Sequence, residues 1–131
     1  MVIVDTTVWI DYLGGIETPQ TLWLDRELTY QRIGITDLIL CEILQGIRDN
    51  HQFELTRQKM LKFEVFSTGG VGFAIQATEN YRKLRSSGYI IRKTIDCVIA
   101  TFCLTNGHSL LHNDKDFDAF EKALGLRVIH P

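Results

Sequence analysis

The chain has 131 residues, of which 45% are hydrophobic and 23% charged, and its formal charge is −2. That is the size and composition of a single globular domain, residues 1–131, large enough to cover its core on two sides. No apolar run approaches the roughly 18 residues that a membrane span requires, and no basic segment precedes the apolar start as in a secretory leader.

The chain opens on the β-branched run Val2-Ile3-Val4, followed by Asp5, Thr6 and Thr7 and then by Val8, Trp9, Ile10, Tyr12 and Leu13 at helical spacing. This predicts a buried strand, a tight turn and a helix. Asp5 then stands at the carboxyl end of the first strand, where ligands bind in open α/β sheets. Read alone, it is equally a cap for the helix that follows. Gly14-Gly15 ends that helix, and Thr18-Pro19 matches the cap and first position of a short amphipathic helix through Leu28. Residues 32–36 alternate as a strand. Thr36 or Asp37 can cap the next helix, residues 37–47, which is apolar enough to be expected buried on most sides.

A polar helix is predicted for residues 50–63, a short strand for 64–66 and, after Gly69-Gly70, an amphipathic helix for 73–85. Thr94 opens a further apolar helix that stops at Asn106-Gly107. Residues 109–112 form a strand that delivers residues 113–117 to a helix ending at Leu124, and residues 126–129 read as a last strand. Strands alternating with helices from end to end predict a three-layer α/β/α sandwich with a mainly parallel central sheet.

Cys41, Cys97 and Cys103 lie in apolar helical patterns and contain no paired metal-binding spacing. They read as buried free thiols in a reducing, cytoplasmic setting. Asp5, Glu42 and Asp96 are lone carboxylates in apolar sequence, an arrangement that costs several kcal/mol unless the acid is paired, hydrogen-bonded or ligating a metal. Glu42 is mid-helix and cannot be a cap. Asp96 in a first turn and Asp114 after a strand could be caps, but the strand ends and first turns also direct all four acids to one sheet edge. Carboxylates gathered there repel one another unless a hard cation intervenes, and oxygen ligands select Mg²⁺ or Mn²⁺. With four acids set aside, 12 acids face 14 bases, so the net charge does not exclude a nucleic acid. A general acid/base pair is the rival chemistry.

The run Val4-Asp5-Thr6-Thr7-Val8-Trp9-Ile10, Glu42 in its apolar helix, Asp96-Cys97-Val98-Ile99-Ala100 and Asn113-Asp114-Lys115-Asp116-Phe117 together resemble the PIN domain. Within that family they resemble the VapC-type toxin ribonucleases of bacterial and archaeal toxin–antitoxin pairs. The resemblance spans essentially the whole chain. It implies a PIN-like fold and a metal-dependent endoribonuclease using Mg²⁺, with Mn²⁺ as a possible substitute. Asp5, Glu42, Asp96 and Asp114 would be its catalytic, metal-binding acids, with Thr6 and Asp116 as auxiliary groups. It further implies a small antitoxin partner and a homodimer. The family commonly has threonine or serine two residues before the fourth acid, where this chain has His112; Asn113 could supply a substitute polar contact.

No acid lies between Glu79 and Asp96, while Arg82, Lys83, Arg85, Arg92 and Lys93 alternate with Tyr81 and Tyr89. Bases for phosphates and rings for stacking suit single-stranded RNA, with Arg92, Lys93 and Arg82 as the candidate contacts. Trp9, Ile10, Tyr12, Leu13, Leu22, Trp23, Leu24 and Leu28 exceed what one core needs, so part of this set is expected at a partner surface. The alternatives are a DNA or structure-specific nuclease with the same metal site, and a catalytically silent RNA- or protein-binding module. A phosphotransferase of the haloacid dehalogenase type would require an aspartate at position 7, which is Thr7.

Overall fold

In the computed structural model, which describes residues 1–131, strand β1 (Val2–Val4) is buried along its whole length. It pairs in parallel on both sides, with β2 (Ile33–Thr36) and with β4 (Ser109–Leu111). Strand β3 (Glu64–Phe66) pairs in parallel with β2, so the order across the sheet is β3-β2-β1-β4. An all-parallel sheet needs a crossover between successive strands, and helices supply each one.

Helices α1 (Thr6–Leu13), α2 (Pro19–Glu27), α3 (Asp37–Gln45) and α4 (Asn50–Met60) carry the chain from β1 through β2 to β3 and pack on one another. Helices α5 (Val71–Ser86) and α6 (Thr94–Asn106) bring it back to β4, and α7 (Asp118–Leu124) packs with α5. The chain therefore winds outward from β1 in one direction and then returns to the opposite side of β1. That reversal opens a crevice at the carboxyl ends of β1 and β4. The result is an α/β fold with a four-stranded parallel sheet flanked by helices.

The core between these layers centres on Trp9, Phe117 and Phe120 with the aliphatic groups of β1, β2 and β4. Trp9 packs on Phe63 with ring centroids 5.0 Å apart and on Tyr12 at 6.0 Å. Of the surplus apolar groups at the first two helices, Trp9, Trp23 and Leu24 thus belong to the core, while Ile10 and Leu22 remain more than half exposed. No helix is long and apolar enough to cross a membrane.

Three local expectations are corrected. The last strand shrinks to a single parallel bridge, Leu110 with Val128, because β4 is only three residues long. The Leu110 amide donates to the Arg127 carbonyl at 2.8 Å and the Ile129 amide to the Leu110 carbonyl at 2.9 Å. His112 lies just beyond β4 rather than within it. Helix α3 is covered on one side only: Ile39 and Ile43 are buried, Leu38, Leu40 and Leu44 are half-buried, and Cys41 is exposed. Cys97 and Cys103 are buried as expected, and burial pushes the Cys103 thiol up to about 12.

Gly34 is the tightest point of the sheet. A Cβ there would come 2.8 Å from the Met1 sulfur and 2.9 Å from the Phe66 ring. We expect Gly34→Ala to destabilise the domain by about 1–3 kcal/mol through overpacking. Urea unfolding should show the midpoint falling with an unchanged slope; an unchanged midpoint would mean that the neighbours yield freely.

Candidate active site

The strand order brings the sequence-singled acids together. Asp5 leaves β1 beside β4, its amide donating to the Leu111 carbonyl at 2.9 Å. Its carboxylate caps α1: Oδ2 accepts from the Thr7 amide at 3.1 Å and from the Thr7 hydroxyl at 2.7 Å. The cap reading of Asp5 is therefore correct as local geometry, and the Thr6 amide adds a further bond to the carboxylate. Burial pushes the Asp5 carboxyl up, and the charge of Asp114 adds to that rise.

Glu42 projects from α3 toward the same crevice. The Thr6 hydroxyl donates to its Oε1 at 2.7 Å. Partial burial raises its carboxyl, the charge of Asp5 adds to this and Lys93 opposes it. Asp96 lies in the first turn of α6 and is buried, but it makes no cap; Lys93 holds the cap position without a side-chain bond. The Asp96 Oδ2 is buried with no hydrogen-bond partner. Burial, then the charges of Asp5, Asp114 and Asp116, push this carboxyl up to about 7 against the pull of Lys93.

Asp114 follows β4 and caps a 3-10 turn, Lys115–Phe117, its Oδ1 accepting from the Asp116 amide at 2.9 Å. Its Oδ2 lies 3.5 Å from the Lys93 ammonium. Carboxylate oxygens of Asp96, Asp114 and Asp116 all lie within 4.8 Å of one another. Asp116, expected as an auxiliary group, belongs to this close group with Asp96 and Asp114, whereas Asp5 and Glu42 lie outside it.

Two residues tie the turn after β4 in place. The Thr7 hydroxyl that donates to Asp5 also accepts from the Asn113 amide at 3.1 Å, linking the ends of β1 and β4. Thr7 was missed in the sequence, where only its place two residues after a capping aspartate marks it. Asn113 contributes through its main chain rather than its side chain. His112 is buried, stacks at 4.9 Å on Phe117, and accepts the Asp114 amide on Nδ1 at 3.1 Å.

The predicted basic contacts divide. Lys93 reaches the acids, and Asp96 and then Asp114 hold its ammonium more firmly protonated. Arg92 is exposed beside it. Arg82 sits on α5 in a shallow hollow with Glu79, Lys83 and Ser86, apart from the acids. The face of Tyr81 is taken by Arg85, whose guanidinium lies 5.5 Å from the ring centroid.

The fold and crevice define a class: a small parallel α/β domain whose strand ends gather acidic side chains at the switch point of the sheet. A PIN-domain model matches residues 2–123, and the chain belongs to the PIN-domain family. Ribonuclease VapC11 of Mycobacterium tuberculosis and a VapC ribonuclease of Mycobacterium bovis are each 25% identical to it over 130 residues, covering 98% of this chain and 97% of the relative. Among solved structures, the fold is similar to VapBC2 from Rickettsia felis bound to a promoter DNA fragment (TM-score 0.77, 17% identity, 98% of each chain). It is also similar to a toxin–antitoxin complex from Klebsiella pneumoniae (TM-score 0.74, 16% identity, 100% of this chain and 98% of the other). VapC20 of M. tuberculosis, described as a sarcin–ricin loop cleaving toxin, superposes with a TM-score of 0.70 at 17% identity over all of both chains.

The raised Asp96 carboxyl fixes the sign of a pH effect. The native state holds this proton up to about pH 7, whereas an unfolded aspartate loses it near 3.8. The metal-free fold is therefore expected to lose stability as pH rises between those values. Asp96→Asn should flatten that slope and raise the melting midpoint at pH 8 in EDTA by about 3–6 °C for each ~1 kcal/mol of strain relieved. A variant melting at or below wild type would show that Asp96 is not strained in the crevice.

Proposed function

We propose that this chain is a metal-dependent endoribonuclease, the toxin of a VapBC-type pair, hydrolysing RNA phosphodiester bonds. The observation that carries the reading is the group of carboxylates at the switch point. Asp96, Asp114 and Asp116 are mutually within 4.8 Å, and Asp5 is near enough to raise the proton affinity of both Glu42 and Asp96. The donor set fits a hard divalent ion: it is all oxygen, and the buried Asp96 Oδ2 has no partner. Asp5, Glu42, Asp96 and Asp114 would hold Mg²⁺ or Mn²⁺, with Asp116 as a further candidate. Held there, such an ion would lower the pKa of a water and offset charge developing on the phosphate.

The chain's own groups do the positioning. The Thr7 and Thr6 hydroxyls each hold one oxygen of Asp5 and Glu42, which fixes the rotamer of each carboxylate. The Asp116 amide does the same for Asp114. Lys93 lies where it can meet a substrate phosphate once a cation has taken its place beside Asp114, and exposed Arg92 extends that positive rim. No protein nucleophile is required.

The antitoxin reading is supported by a groove of about 340 Å³ lined by Ile10, Leu13, Ile43 and Ile47, with Glu42 in its wall. Apolar anchors in a groove suit a partner helix, and a basic side chain of that partner could reach the acids through Glu42. Self-association belongs to the same proposal; Val71 and Ile75 on α5 stay largely exposed in the single chain.

Purified protein should cleave single-stranded RNA with Mg²⁺ or Mn²⁺ and not with EDTA. Asp5→Asn and Asp96→Asn should each lower kcat on the order of 10²-fold or more while melting no lower than wild type. Wild-type rates in either variant would remove that residue from the site. Ile10→Asp should weaken the complex with the protein encoded beside this chain about tenfold or more in a titration; unchanged affinity would place the antitoxin elsewhere.

A further inference from the structure

A second hollow adjoins the acids at Asp114 and is not lined by Asp96. It measures about 280 Å³, and Asp114 forms its boundary with the acidic crevice. Its walls are polar: Gln20 from α2, Asn113 and Lys115 from the turn after β4, Asp118 from α7, and His130 from the C-terminal segment. Val128 and Ile129 supply an apolar patch. We propose that this hollow is a nucleobase subsite, and that it selects guanine in the nucleotide next to the bond to be cut. The proposal rests on the ribonuclease reading above and names the substrate feature that reading leaves open.

Size and position come first. The volume holds one base and excludes a paired duplex, so the subsite requires an unstacked single-stranded nucleotide. A base seated there places its backbone phosphate over Asp114, which is where the acids would act. An apolar patch for the face of the base and polar groups for its edge are the mixture that nucleotide sites use.

Edge chemistry selects the base. The Asp118 carboxylate makes no hydrogen bond within the fold, and as a carboxylate it can only accept. It needs a base edge carrying donors. Guanine offers two adjacent donors, N1–H and the N2 amino group, that one carboxylate can accept together. Its O6 and N7 then need donors, which Lys115 and the side-chain amides of Gln20 and Asn113 provide. Uracil has one ring donor beside two carbonyls, and adenine and cytosine have one amino group each, so none fills the carboxylate in two bonds.

The His112 ring adds an independent observation. Because Nδ1 accepts the Asp114 amide, the neutral ring carries its proton on Nε2, and Nε2 is buried without a partner. His112 is 92% buried and forms part of the hollow's wall, close to Asp118, Asp114, Glu121 and His130. A buried donor without a partner costs free energy, and the His112 ring carries one beside the hollow.

Two measurements on the full chain test the subsite. In the first, single-stranded RNA oligonucleotides that differ at one position beside the cleaved bond are digested with Mn²⁺. The expected result is a preference for guanine over each other base of roughly tenfold or more, falling to near unity in Asp118→Leu. The second uses 5′-GMP and 5′-AMP as probes in EDTA, followed through the His112 and His130 imidazole resonances. GMP should shift them at lower concentration than AMP in the wild type and lose that advantage in Asp118→Leu. RNA cleavage with no base preference, and GMP and AMP indistinguishable, would overturn the subsite while leaving the nuclease standing. GMP selectivity in a chain that cuts no RNA would support the subsite and overturn the nuclease reading instead. A folded Gln20→Ala variant that weakens GMP binding guards against an Asp118→Leu that fails to fold.

Discussion

The constraint on which the rest of the structure depends is the crowding of carboxylates at the carboxyl ends of β1 and β4. Like charges in a part-buried crevice resist ionisation, and the fold meets each of them with a local device. The Thr7 hydroxyl and amide hold Asp5, the Thr6 hydroxyl holds Glu42, and the Asp116 amide and Lys93 hold Asp114. Asp96 alone has a buried oxygen with nothing to accept from, and it is the one pushed up to about 7. A fold optimised for stability would not keep that residue. Its place there is a cost that the fold itself does not offset.

How much of this could be seen beforehand follows from the range of the forces involved. The strand-to-Asp5 junction, the charge of Glu42 inside an apolar helix and Asp96 in a first turn are local contradictions, so they stand out in the sequence. The parallel direction of the strands was legible too, because strand and helix patterns alternate, although their order across the sheet was not. What escaped depends on where distant segments meet. Thr7 matters because Asn113 arrives 106 residues later to use its hydroxyl. Asp116 joins the acids only through the turn that Asp114 caps. Helix α3 looked buried on composition, but no layer covers its outer side, and Cys41 is exposed as a result. The last strand pattern was real in residue type, yet β4 is too short to pair with more than Val128.

The acids also separate two hollows of opposite character. Glu42 borders an apolar groove between the early helices, and Asp114 borders a polar hollow beside the C-terminal segment. Two ligands of different chemistry would therefore approach one crevice from different sides, each beside a different acid. Interference between the two would then arise at the carboxylates themselves, through charge, without a change of fold.

The two margins of the sheet carry a last consequence. On one side β3 is three residues long, and its Glu64 is held by Arg32 at 2.7 Å on the outer surface. On the other, the main chain around Val128 occupies the bonding groups of Leu110. A partner strand would find one margin short and charged and the other already stitched shut. Whatever grips this domain must therefore read its side chains and helix faces, so its specificity is free to drift by substitution at those faces while the sheet stays as it is.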